Sequence, residues 1–267
     1  MAFHVKNQRM VRTMTTVVVF YIAAIAAAEV VGVFVGVLLS IGLHAQLVLA
    51  LLSSYMLMSE TFGRRILPVL ALAPLLRILS LTMPTPEVPQ IFWHAMIGGP
   101  LLVAVALTAR LLERSWTDVG LRLRMWPVQL SIALSGLPLS LWGFLFLRPK
   151  PLVATFDWRA VAIGSIILVV FSAFTEEVIF RGLLQQVASE LFGRAGLLCS
   201  TALFAAMYIG SLSPSYTLFM TLVGLIFGWC VRWTGSIWGV VLAHGLLNIG
   251  MALIWPFLFP GMVAGSL

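Results

Sequence analysis

The chain has 267 residues, 61% of them hydrophobic and only 9% charged, with 16 Lys and Arg against nine Asp and Glu and a formal net charge of +7. A soluble domain carries about a quarter of its residues as charges, so this composition excludes one. The basic residues punctuate apolar blocks instead of forming one patch, which argues against a nucleic-acid partner and makes them topology signals.

Several blocks approach the roughly 20 residues needed to cross about 30 Å of hydrocarbon, and each must be helical because lipid offers no partner to a bare backbone. The expected fold is all-α, a polytopic transmembrane bundle with eight or nine spans in the bilayer. Lys6, Arg9 and Arg12 precede an apolar stretch ending in Ala26, Ala27 and Ala28, which imitates a signal peptide. Apolarity resumes after Glu29 and runs to Leu43, so this segment is expected to be a retained first span, Met14 to Leu39. Short blocks follow at Leu47 to Met58 and Ile66 to Leu81, where tilted or re-entrant geometry is possible. Pro84, Pro86 and Pro89 then mark a loop before Ile91 to Thr108.

The one substantial polar stretch, RLLERSWTDVGLRLRMW from Arg110 to Trp126, reads as a partly helical interfacial linker. It divides the chain into N-terminal spans (1–109), a linker (110–127) and a C-terminal bundle (128–267). The bundle's expected spans are Val128 to Leu147, Ala160 to Leu184, Gly196 to Gly210, Tyr216 to Trp233 and Ile237 to Phe259. Cys199 and Cys230 fall within spans and act as small hydrophobes. With nine spans and the N-terminus inside, Lys6, Arg9, Arg12, Arg64, Arg65, Arg110, Arg114, Arg122, Arg124, Arg194 and Arg232 lie on the cytoplasmic side. Only Arg148, Lys150 and Arg159 lie outside, so the bias favours a cytoplasmic N-terminus.

Ionisable groups within spans are functional candidates by default. TEEVIFRG holds Glu176 and Glu177, with Arg181 one turn beyond Glu177, so one acid is expected to pair with the arginine and the other to be free for proton transfer. HGLLN puts His244 and Asn248 on one helix face. Both clusters fall at matching depth, roughly 12 Å below the inner surface by ~1.5 Å per residue. Glu29 and Arg77 are expected to pair with each other or to face water between helices.

From Trp116 to Asn248 the sequence resembles the CPBP family, the CAAX prenyl proteases and bacteriocin-processing proteins also called Abi proteins. EExxxR followed by GLL is matched by Glu176, Glu177 and Arg181, and HxxxN by His244 and Asn248; TDVGLRLR resembles the family's lead-in. The middle motif, FxxxH, is matched by Phe204 but has Tyr208 where the family carries histidine. The resemblance implies an intramembrane endopeptidase in which Glu176 activates water, Arg181 orients the acid pair, and His244 with Asn248 stabilises an oxyanion. The substrate would be a peptide or protein segment entering from the cytoplasmic side, and the membrane a bacterial inner membrane. Zinc is a possible cofactor, with Glu176 and His244 as metal ligands, but the phenol of Tyr208 removes a nitrogen ligand that a three-ligand site would want. His94, expected near the outer face, is a minor candidate to fill that gap and otherwise an interfacial histidine. The alternatives are a pseudoprotease that acts as a membrane scaffold, and a proton-coupled transporter, the latter unsupported by any inverted repeat.

Overall fold

The computed structural model describes residues 2–58, 62–83, 87–211 and 213–263; Pro84 and Pro86 of the expected loop lie outside the described residues. Helices dominate, and no strand occurs among the described residues. We number them α1 (Ala2–Phe34), α2 (Val37–Leu57), α3 (Gly63–Thr82), α4 (Gln90–Leu111), α5 (Trp126–Leu147), α6 (Trp158–Phe192), α7 (Ala195–Ser211), α8 (Pro214–Thr234) and α9 (Trp238–Leu258). All but α7 are long and apolar enough to cross a membrane. Lipid is the solvent their surface requires: Leu38 and Leu57 are each 86% exposed and Phe34 77%.

Several expected boundaries move. The first span ends at Phe34, because Gly36 at φ 159 breaks the helix, and α2 begins at Val37, ten residues before the expected Leu47. Apolarity is continuous across this break, so composition could not reveal it. His44 therefore sits inside α2 and is fully buried. The sixth span, expected over Ala160 to Leu184, runs on to Phe192. The segment expected as a span over Gly196 to Gly210 is an apolar helix over Ala195–Ser211, shorter than the others. Between the end of α4 and the start of α5, residues 112–125 hold no helix, only turns and irregular backbone.

That linker is nevertheless fixed to the bundle. Ile237 N–H donates to the Gly120 carbonyl at 3.0 Å, Arg122 Nε donates to the Gly235 carbonyl at 2.9 Å, and Arg114 forms a two-pronged ion pair with Glu190. The linker, the α8–α9 turn and the end of α6 thus share one face, which we call the linker face. The segments before α4 and between α5 and α6 lie at the opposite end, since α4, α5 and α6 each cross from one to the other.

Two glycines set how closely α6 and α9 are approached. A Cβ on Gly98 of α4 would stand 2.1 Å from the Phe171 carbonyl oxygen of α6, and one on Gly136 of α5 would stand 2.3 Å from the Ala243 carbonyl oxygen of α9. Small residues at such crossings let membrane helices pack backbone to backbone. Gly136→Ala should therefore push α5 off the helix that carries His244 and destabilise the fold by about 1–3 kcal/mol, the range for overpacking. Thermal unfolding in detergent reads this, with Gly99→Ala, whose added methyl meets nothing within 4 Å, as control.

Candidate active site

The two adjacent glutamates of α6 point to different places. Neighbouring residues on a helix are about 100° apart, so both cannot face one partner. The helix is also wound with π turns on either side of them, over Leu168–Phe174 and Val178–Leu184, and such insertions recur at functional sites.

Glu177 is sealed. Its Oε1 accepts from Arg181 Nη1 at 3.1 Å and lies 2.8 Å from His244 Nδ1, with all three residues at most 1% exposed. Arg181 is the one-turn partner the spacing predicts, and it donates further to the Gly224 carbonyl at 3.3 Å while its guanidinium lies 4.3 Å from the centre of the Phe204 ring. A carboxylate accepts and does not donate, so the contact with Glu177 is made when Nδ1 carries the proton of the neutral His244 ring. That leaves Nε2 with a lone pair, and Nε2 makes no hydrogen bond among the described residues.

Glu176 faces a cavity of about 550 Å³. Its Oε1 accepts from Ser172 Oγ at 3.3 Å and its Oε2 from the Tyr208 hydroxyl at 3.2 Å. Asn248 Nδ2 donates to Ser172 Oγ at 3.3 Å. Of the six residues expected in the site, Glu176, Tyr208, His244 and Asn248 line the cavity, while Glu177 and Arg181 stand behind His244. Arg181 does not orient the acid pair, because it touches Glu177 alone of the two. Sequence reasoning missed Ser172 and Tyr216, ordinary polar residues in apolar segments that become visible only when α6, α8 and α9 close on them.

The matching depth of the two clusters is realised in the 2.8 Å contact between Glu177 and His244. His244 lies six residues into α9 from the linker face, about 9 Å at ~1.5 Å per residue. From there the cavity extends the other way, to Gln90 and His94 of α4 and to Pro149, Lys150 and Leu152. Leu152 N–H donates to the Ala252 carbonyl at 3.0 Å, which pins that segment two turns beyond His244 on α9. The expectation of a cavity opening toward the cytoplasm and that of a cytoplasmic linker face, drawn from the basic residues, are thus incompatible: the cavity reaches the end that carries Arg148, Lys150 and Arg159.

A tightly held zinc wants three good donors. Among the described residues no three of His, Cys, Asp and Glu come together. Glu176 and His244 Nε2 are two donors, Tyr208 is a neutral phenol, and His94 lines the same cavity without closing a ligand set. The donor set does not fit a resident zinc.

Residues 157–250 match the family model described as type II CAAX prenyl endopeptidase Rce1-like. The Rce1-like segment covers a little over a third of the chain and holds all six site residues; Glu29, His44, Arg77, Gln90, His94 and Lys150 lie outside it. Neither a curated protein nor a solved structure matches the chain.

Proposed function

We propose that the chain is an intramembrane endopeptidase in which Glu176 is the general base. The observation that carries this reading is the division of labour between adjacent acids, one sealed in an ion pair and one held by two hydroxyls at the wall of a cavity. A water in the cavity gives a proton to Glu176 as its oxygen attacks the peptide carbonyl. His244 Nε2, aimed by Glu177, accepts the water's second hydrogen and fixes its orientation. Asn248 Nδ2 is released from Ser172 to donate to the oxyanion, and protonated Glu176 returns its proton to the leaving amine as the C–N bond breaks. The products are a carboxylic acid and an amine. Tyr208 holds Glu176 by its hydroxyl and takes no proton, since a phenol has a pKa of about 10.

The Rce1-like match supports a peptide or protein substrate, and the cavity's reach to Lys150 and His94 supports entry from the end opposite the linker. Single cysteines at Lys150 and Arg122 test that side. In intact cells an impermeant maleimide should label Lys150→Cys and spare Arg122→Cys if the linker is cytoplasmic; the reverse pattern would restore cytoplasmic entry by turning the whole molecule over.

Histidine at position 208 should raise turnover, because it offers an additional nitrogen to the water beside Glu176, and adding Glu176→Ala should abolish the gain. The assay compares cleavage products of host membrane proteins with wild type, Tyr208→His, Glu176→Ala and the double variant. Identical products from wild type and Glu176→Ala, with loss of the whole chain destabilising a membrane partner, would overturn the peptidase reading in favour of a scaffold.

A further inference from the structure

The N-terminal helices carry a second buried charge cluster, outside the Rce1-like segment. Glu29 of α1 is 2% exposed; Arg77 of α3 grips both of its oxygens, Nε to Oε1 at 2.5 Å and Nη2 to Oε2 at 2.6 Å, and His44 Nε2 of α2 lies 3.0 Å from Oε1. The pairing of Glu29 with Arg77 is as the sequence leads one to expect; His44 is an addition. Ionised groups at such depth are costly, so the cluster calls for a role. Tying α1, α2 and α3 together is the plain one.

A fourth element touches the cluster. A Cβ on Gly210 would stand 2.6 Å from Glu29 Oε2 and 3.0 Å from Arg77 Nη2, so the turn Ile209–Ser211 sits directly on the ion pair, with room for a hydrogen and no more. That turn is built onto Tyr208, whose carbonyl accepts from Ser211 N–H at 3.1 Å, Ser211 Oγ at 2.7 Å and Thr217 Oγ1 at 3.1 Å. The Tyr208 ring is fixed edge-on to Phe204 and Tyr216, each 5.2 Å away, and its hydroxyl ends at Glu176. An unbroken line of contacts therefore runs from Glu29 and Arg77 through Gly210 to Tyr208 and Glu176.

We propose that Glu29, Arg77 and His44 are positioning residues for the cavity: the cluster is a seat that sets the height of the 209–211 turn and, through it, the place of the Tyr208 hydroxyl against Glu176. The inference rests on the peptidase reading for its effect on turnover, but the placement of Tyr208 can be observed without catalysis. A displacement of about 1 Å at a reacting group can cost on the order of 10²-fold in rate, so a shifted seat should act on kcat more than on KM.

The test labels the protein with 3-fluorotyrosine and assigns the Tyr208 resonance by its absence in Tyr208→Phe. Gly210→Ala, which keeps every charge and wedges a methyl between the turn and the ion pair, should shift that resonance, lower kcat by roughly tenfold or more and leave KM within about twofold. Glu29→Gln should do the same, and Gly42→Ala, whose methyl meets nothing within 4 Å, should do neither. Should Gly210→Ala fail to fold, Arg77→Lys, which keeps the charge but loses the two-pronged grip, gives the same reading. If the folded variants melt lower while the Tyr208 resonance stays put, the cluster only ties helices and the proposal is wrong. If the resonance shifts and no form of the protein cleaves anything, the positioning stands and the peptidase reading fails.

Discussion

Glu176→Gln is expected to reduce kcat/KM for peptide hydrolysis by about 10²- to 10⁴-fold, the contribution of a general base, without lowering the melting temperature. The amide has nearly the volume of the carboxylate and can still accept from Tyr208 or Ser172, so the 3.2 and 3.3 Å contacts need not be lost. What disappears is the ability to take a proton. The group is half-buried at a cavity wall and has no cationic partner among the described residues, so removing its charge strands none there. Rates measured with a quenched peptide, together with unfolding followed by tryptophan fluorescence, check both halves. An unchanged rate would move the base elsewhere, with His244 Nε2 next in line.

Its neighbour should behave in the opposite way. Glu177→Ala leaves the Arg181 guanidinium, 1% exposed, without its anion, and breaking a buried pair by removing one member costs about 3–5 kcal/mol. The variant should unfold far below the wild type or fail to accumulate in the membrane. Replacing both members, as Glu177→Leu with Arg181→Met, should recover much of that stability, because an apolar pair of similar volume needs no charge balance. Activity should not return with it: without Glu177 nothing holds the His244 proton on Nδ1. A Glu177→Ala protein that melts with the wild type would show that the pair carries no structural load.

Much of this protein was legible in the chain alone, because the bilayer imposes simple constraints. Apolar blocks of sufficient length must be helices, so the all-α class and a count of eight or nine spans follow from composition and spacing, and eight helices are long enough to cross. The i, i+4 spacing of Glu177 with Arg181 and of His244 with Asn248 was enough to assign helix faces, since local helical geometry does not depend on the rest of the fold. Ionisable and amide groups are rare enough within apolar spans for Glu176, Glu177, Arg181, His244 and Asn248 to stand out, whereas Tyr208 was marked only by the family resemblance.

Tertiary structure decided what local geometry cannot. The break at Gly36 is invisible to hydropathy, because the turn and the two helices it joins are equally apolar, and only the structure places His44 within α2. The spacing pairs Glu177 with Arg181, but only the approach of α9 and α8 adds His244 and the Gly224 carbonyl to that pair and leaves Glu176 at the cavity. The reach of the cavity toward Lys150 follows from Leu152 bonding to Ala252, a contact between segments 100 residues apart. The seat formed by Glu29, His44 and Arg77 beneath Gly210 is likewise long-range, and a glycine has no side chain by which a sequence could announce that its missing Cβ is the point.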